Sequence, residues 1–327
     1  MKSRFFNILP VRSRTVAVLT ATLGLFAFPA LAEAATLTLD FDEGNGTTSV
    51  DQYAGKAGDG WKSAWTTKVA PAASQDSITI SSSGVSGASP LYTGGGNYLK
   101  FVMDTTALET GSATRSAAAM RRLDSGVISL ARPITYSFSF RLENDPSTIA
   151  SSDYRGPQYF IFVDTSATGT PTTGSTNTWL IQTTSSTNNA TSYWQLGNGD
   201  GLGGTSFINT TMKAEEGVTY FFTVVSDPAT RTWSVTISNG ATTYDSVAEG
   251  KSLAYRSTKA NDAGSWLQFA IKDPTAAGTE SFAYSLDNIT VSQADLPAVP
   301  EPVTATLFLG AGALLAAAAA LRHRASR

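Results

Sequence analysis

Residues 219–240 read TYFFTVVSDPATRTWSVTISNG. Two runs rich in aromatic and β-branched residues, 219–225 and 231–238, flank Ser226-Asp227-Pro228-Ala229-Thr230, and Asn239-Gly240 closes the segment. Asp-Pro and Asn-Gly are turn formers, so the pattern predicts an antiparallel hairpin. Trp233, Val235 and Ile237 alternate with Thr232, Ser234 and Thr236, the period of a strand with one apolar face. The same alternation runs through 135–142, where Tyr136, Phe138, Phe140 and Leu142 point one way and Ser137, Ser139 and Arg141 the other. Strands of this kind belong to antiparallel sheets with a wet outer face.

Working outward, further strands are predicted at 36–41, 77–80, 98–103, 159–163, 179–182, 192–196, 242–247, 266–271 and 281–291. The run 159–163 is apolar on both faces and reads as a central strand. Helix is scarce, with a turn or two expected over 117–123. The Thr/Ser/Gly-rich stretches 165–178 and 183–191 read as polar surface loops. The fold class is therefore all-β, an antiparallel two-sheet sandwich. The hairpin, followed by the late Leu286-Asp287-Asn288-Ile289-Thr290-Val291, resembles concanavalin A-like and laminin-G-like jelly rolls over 36–292. That resemblance implies that the first and last strands pair, with Leu37, Leu39 and Phe41 beside Ile289 and Val291.

Composition excludes several chemistries. There is no cysteine, and the single histidine is His323 in the C-terminal tail. Disulfides, thiolate nucleophiles, Ser-His-Asp triads and histidine metal clusters are thus absent from the folded region. Between 33 and 302 lie 16 basic residues against 26 acidic ones, a net charge of about −10. An acidic domain is a poor nucleic-acid binder and a plausible calcium binder.

The two chain ends carry an address. Lys2, Arg4, Arg12 and Arg14 precede a short apolar run, 16–28, then Pro29 and the small residues Ala30-Leu31-Ala32, which together read as a signal peptide over 1–32. At the other end Pro300-Glu301-Pro302 precedes an uncharged segment, 303–321, and then Arg322, Arg324 and Arg327. As a helix that segment spans roughly 28 Å, close to the thickness of a bilayer core, and the arginines favour a cytoplasmic C-terminus. The alternative, a buried core helix, lacks the polar face that soluble helices keep.

These last residues resemble the PEP-CTERM sorting signal of Gram-negative bacteria, a likeness confined to about 29 positions. It implies recognition, not catalysis, by Pro300, Glu301, Pro302, Arg322 and Arg324. It also implies processing by an exosortase after signal peptidase, membrane anchoring, release to the cell surface or matrix, and an association with exopolysaccharide. The expected organisation is signal peptide 1–32, β-sandwich ectodomain 36–292, spacer 293–302, transmembrane helix 303–321 and basic cytoplasmic tail 322–327.

Candidate sites within the sandwich follow from residue type. Trp266 and Gln268 lie on the side of their strand opposite Leu267, Phe269 and Ile271, and Trp194 sits beside Gln195. These are candidate glycan contacts, because exposed aromatic rings stack on sugars. Asp40, Asp42, Asp287 and Asn288 would share one rim if the terminal strands pair, a candidate structural calcium site; otherwise they are a solvated acidic turn. No other cofactor is expected. Glu143 and Asp145, and Glu215-Glu216-Gly217, offer carboxylates for a glycoside hydrolase, while reading more simply as turns. The Glu-x-Asp-x-x-Glu triplet of laminarinase-type hydrolases is missing. The expectation is a non-catalytic, exopolysaccharide-associated protein. The alternatives are a carboxylate-dependent hydrolase or lyase and a purely structural envelope protein.

Overall fold

The alternating stretches become strands. The computed structural model describes residues 35–39, 41, 60–70, 81–82, 91, 97–104, 115–146, 157–169, 176–183, 191–258, 263–273 and 281–293, all within the compact unit Glu33–Leu296. The expected signal peptide and sorting signal, the predicted strand 77–80, Asp40 and Asp42 lie outside the described residues. Among those described, no helix is long and apolar enough to cross a membrane, and the expected span 303–321 is not one of them.

In chain order the strands are β1 (Ala35–Leu39), β2 (Thr66–Ala70), β3 (Ser81–Ser82), β4 (Asn97–Asp104), β5 (Arg115–Arg122) and β6 (Ile134–Leu142). Then come β7 (Gln158–Asp164), β8 (Asn177–Thr183), β9 (Tyr193–Gly199), β10 (Thr205–Lys213) and β11 (Thr219–Asp227). The last are β12 (Thr232–Ser238), β13 (Thr243–Asp245), β14 (Leu253–Ala254), β15 (Trp266–Asp273) and β16 (Ser281–Gln293). They form a nine-stranded sheet, β13-β12-β11-β6-β16-β4-β3 with β1 on β16 and β14 on β12, and a seven-stranded sheet, β10-β9-β8-β7-β15-β5-β2. Every pairing between these strands is antiparallel.

The hairpin forms as predicted, with Val224 opposite Val235. Its turn is held by Asp227, whose carboxylate accepts from Ala229 N at 2.9 Å and Thr230 Oγ1 at 2.8 Å. The terminal strands pair too, Leu37 opposite Val291 and Leu39 opposite Ile289. Phe41 lies beyond this ladder and packs its ring 6.2 Å from Trp65.

Inner faces of the two sheets meet in one aromatic core. Phe138 of β6 packs edge-on against Phe269 of β15 at 5.4 Å, and Tyr136 against Trp179 of β8 at 5.4 Å. Each such pair contributes about 0.5–1.5 kcal/mol beyond area burial.

Two expectations change. The 117–123 segment is not helical: it is most of β5, flanked by β15 and β2. Ala117 and Ala119 face the core, while Ala118 and Met120 join a second apolar cluster on the opposite face. Alanine's helix preference is worth only tenths of a kcal/mol per residue, and two-faced burial with ladder hydrogen bonds outweighs it. Secondly, the outer face of β6 is not uniformly wet. Ser139 and Arg141 are buried, because Arg141 ion-pairs with Glu143 at 2.7 Å and lies 5.6 Å from the Tyr98 ring centre.

Candidate functional site

The outer face of the seven-stranded sheet has two halves. Over β5, β15, β7 and β8 it is apolar, with Ala118, Met120, Phe160, Phe162, Leu180 and Ala270 all buried. Part of the cover is the turn after β7. Asp164, fully buried, accepts from Ser166 N at 2.9 Å, Thr168 Oγ1 at 3.1 Å, Thr176 Oγ1 at 3.1 Å and Asn177 Nδ2 at 3.1 Å. Gln268 fastens the same turn from β15, donating to Ser166 O and accepting from Gly169 N, both at 2.8 Å. Gly169 has a φ of +73°, and a Cβ there would meet Lys68 Cδ of β2 at 2.7 Å. Only glycine lets the turn lie this close to the sheet.

Over β9 and β10 the face is polar and open. Gln182 Nε2 donates to Gln195 Oε1 at 2.9 Å, and Gln195 Nε2 donates to Asn209 Oδ1 at 2.7 Å. The three amides form a row across β8, β9 and β10, in register with the strand pairing, and it ends at exposed Asn209. Beside it Phe207 stands 46% exposed, opposite Gly197 of β9. A Cβ on Gly197 would sit 3.2 Å from Leu180 Cβ, which places this glycine on the same outer face. An amide row with an adjacent ring is a small set of fixed donors and acceptors next to an apolar platform.

A second concavity lies at the rim of the sandwich. It has a volume of about 290 Å³ and is lined by Asp145, Glu215 and Glu216 with Lys213, Thr191 and Ser192. Ala214 N donates to Ser192 O at 2.9 Å, and Gly217 N to Leu142 O at 2.8 Å, which brings the 213–217 segment against β6. Tyr220 OH accepts from Glu215 N at 2.9 Å and donates to Lys213 O at 2.8 Å. Carboxylates from two separate sequence segments thus converge on one cavity. Glu143 is differently engaged: besides Arg141 it accepts from Ser285 Oγ, so it serves to hold strands together.

Burial raises the Tyr220 hydroxyl to about 12 from an ordinary value of 10.0. Burial, and then the charges of Glu143, Glu216 and Asp145, push Tyr159 well above that value, and burial does the same to Tyr284. Below pH about 10 both folded and unfolded chains keep these protons. Above it the unfolded chain loses protons that the folded chain retains, so stability falls as pH rises. The melting temperature is expected to be level from pH 8 to about 10 and to drop beyond; a level curve through pH 12 contradicts this.

The residues singled out in sequence divide as follows. Trp194 is 0% exposed, its ring 5.3 Å from Tyr220 and 5.0 Å from Phe222 between the sheets, so it has no face for a ligand. Gln268 is equally buried and committed to the 165–169 turn. Trp266 is half-buried against the second apolar cluster, with the Arg122 guanidinium 5.7 Å from its ring. Asp287 is 2% exposed and accepts from Asn288 N at 2.7 Å; Asn288 is exposed at φ 50°. Among the described residues no three Asp or Glu side chains make a group able to hold a metal, and the other half of the calcium set, Asp40 and Asp42, is not among them. The amide row and Phe207 involve β10, which is not among the predicted strands: Thr205–Asn209 is exposed or only partly buried at every position, so no apolar–polar alternation marks its first half. The available signal was Gln182 and Gln195 at polar positions of two predicted strands.

No protein-family model matches this chain, and no curated protein matches it in sequence. Among solved structures it is similar to a sialidase, at 13% identity and TM-score 0.42, over 80% of this chain and 19% of that one. It therefore spans about a fifth of the sialidase's length. It is also similar to a carbohydrate esterase from the Shiga toxin-encoding bacteriophage phi24B, at 14% identity and TM-score 0.42, over 80% and 99% of the two chains. A third is lectin II from Ulex europaeus, at 10% identity and TM-score 0.38, over 79% and 99%.

Proposed function

We propose that this chain is an exported envelope or extracellular-matrix protein whose sandwich, read as a concanavalin A-like jelly roll, holds polysaccharide without cleaving it. The observation that supports the binding is the open strip on β9 and β10, where the row Gln182–Gln195–Asn209 ends beside the exposed Phe207 ring. Side-chain amides donate and accept at once, as sugar hydroxyls do, and a ring face packs on sugar C–H groups. Export, anchoring through 303–321 and processing by an exosortase at Pro300-Glu301-Pro302 rest on the sequence of the two termini. Cell fractionation should recover the processed chain in the envelope or medium; finding it intact in the cytosol ends that part of the reading.

The cavity lined by Asp145, Glu215 and Glu216 favours a second reading, a carboxylate-dependent glycan hydrolase. One polysaccharide panel separates the two. Binding that Phe207→Ala with Asn209→Ala weakens at least tenfold, at unchanged melting temperature and without new reducing ends, supports the first. Release of reducing ends that Glu216→Gln abolishes supports the second. Silence in both assays leaves a purely structural envelope protein.

A further inference from the structure

The opposite surface of the sandwich, the outer face of the nine-stranded sheet, carries a regular array of hydroxyls. Strand register sets one row as Thr38, Thr290, Ser137, Thr223 and Thr236, across β1, β16, β6, β11 and β12. The next row along the same strands is Thr36, Ser292, Thr135, Val225 and Ser234. All ten positions are exposed or half-exposed, and none is charged. Neighbours within a row are about 4.8 Å apart and successive rows about 6.7 Å. The Ser137 and Thr223 hydroxyls lie 3.4 Å apart, on the same side of the sheet. Phe221 and Val225 add apolar surface, 42% and 40% exposed, and the first charge met along the central row is Asp245, at the β13 edge opposite Thr236.

We infer that this face is a second glycan-binding surface, specific for a neutral extended polysaccharide, and that the protein is bivalent. Each hydroxyl can donate or accept, which matches a partner whose hydroxyls do both along a ribbon. Threonine methyls, Val225 and Phe221 meet the apolar faces of sugar rings. Neither row carries a charge, so a neutral partner seated on the two rows desolvates no ion; the Arg141–Glu143 pair of the same face lies beyond them. The net charge of about −10 between 33 and 302 repels an acidic polysaccharide, and the uncharged rows offer a basic one no ion pair, which together favour a neutral ligand. With one site on each outer face, a single chain bridges two polysaccharide strands, the action of a matrix cross-linker.

The inference rests on the proposed glycan binding, and calorimetry on the full chain in detergent separates the two. The probes are linear hexasaccharides of glucose and of mannose. For the hexasaccharide that binds, two sites per chain are expected. Ser137→Lys with Thr223→Lys should remove one, Thr223→Ser should keep both, and Phe207→Ala with Asn209→Ala should remove the other. One site in the native chain, untouched by the lysine pair, overturns the second surface and leaves the proposed function standing. No binding of either probe overturns both. A dimer that forms without glycan and is broken by the lysine pair assigns the face to a second copy of this chain, and also overturns the inference.

Discussion

Replacing Asp164 with alanine is expected to lower stability by about 2–4 kcal/mol, because buried donors lose their acceptor. Four residues donate to this carboxylate, Ser166 through both its backbone and its hydroxyl. Ser166 is exposed and can turn to water, but Asn177 is fully buried and cannot. At roughly 2–4 °C per kcal/mol for a domain of this size, the melting temperature should drop by several degrees. The 165–169 turn also loses its anchor, so protease cleavage there should accelerate. Dye binding should report exposure of Phe160 and Phe162 beneath. An unchanged melting temperature and cleavage rate would show that the turn is held by Gln268 alone.

Trp194→Ala should cost about 3–5 kcal/mol, the range for emptying a large aromatic from a packed core. Its ring sits among Phe140, Tyr220 and Phe222 at 6.0, 5.3 and 5.0 Å, contributed by β6 and β11, neighbouring strands of the nine-stranded sheet. Chemical denaturation measures the loss as a shift in midpoint. Below the variant's melting temperature its glycan affinity should match that of the native chain, because the ring touches no open surface. Phe207→Ala should behave oppositely, near-neutral in stability and impaired in binding. If Trp194→Ala abolishes binding while leaving the denaturation midpoint in place, the core assignment is wrong.

Legibility in the sequence followed burial geometry. On β12 a single buried face leaves Thr232, Ser234 and Thr236 half-exposed, so apolar and polar residues alternate and the strand is readable. On β5 both faces are buried by different partners, and alanines satisfy both, so no alternation exists to be read. Alternation puts Trp266 and Gln268 on the face opposite Leu267 and Phe269, but it carries no information on their exposure. Periodicity distinguishes two sides of a strand; it does not say which distant segment lies over the polar one. Here that segment is the 165–169 turn, about 100 residues away along the chain.

Hydrophobic period, turn chemistry and the missing cysteine and histidine determined the all-β class, the hairpin and the catalytic groups unavailable. Each of these depends on neighbours within one strand or on residue type, quantities that a linear string contains. The tertiary structure decided the rest: the engagement of Glu143 by Arg141, the gathering of Asp145 and Glu216 on one cavity, the amide row and the hydroxyl array. Those depend on register between strands distant in the chain. A shift of one residue turns every side chain to the opposite face, so only the paired sheets determine which side chains share a surface.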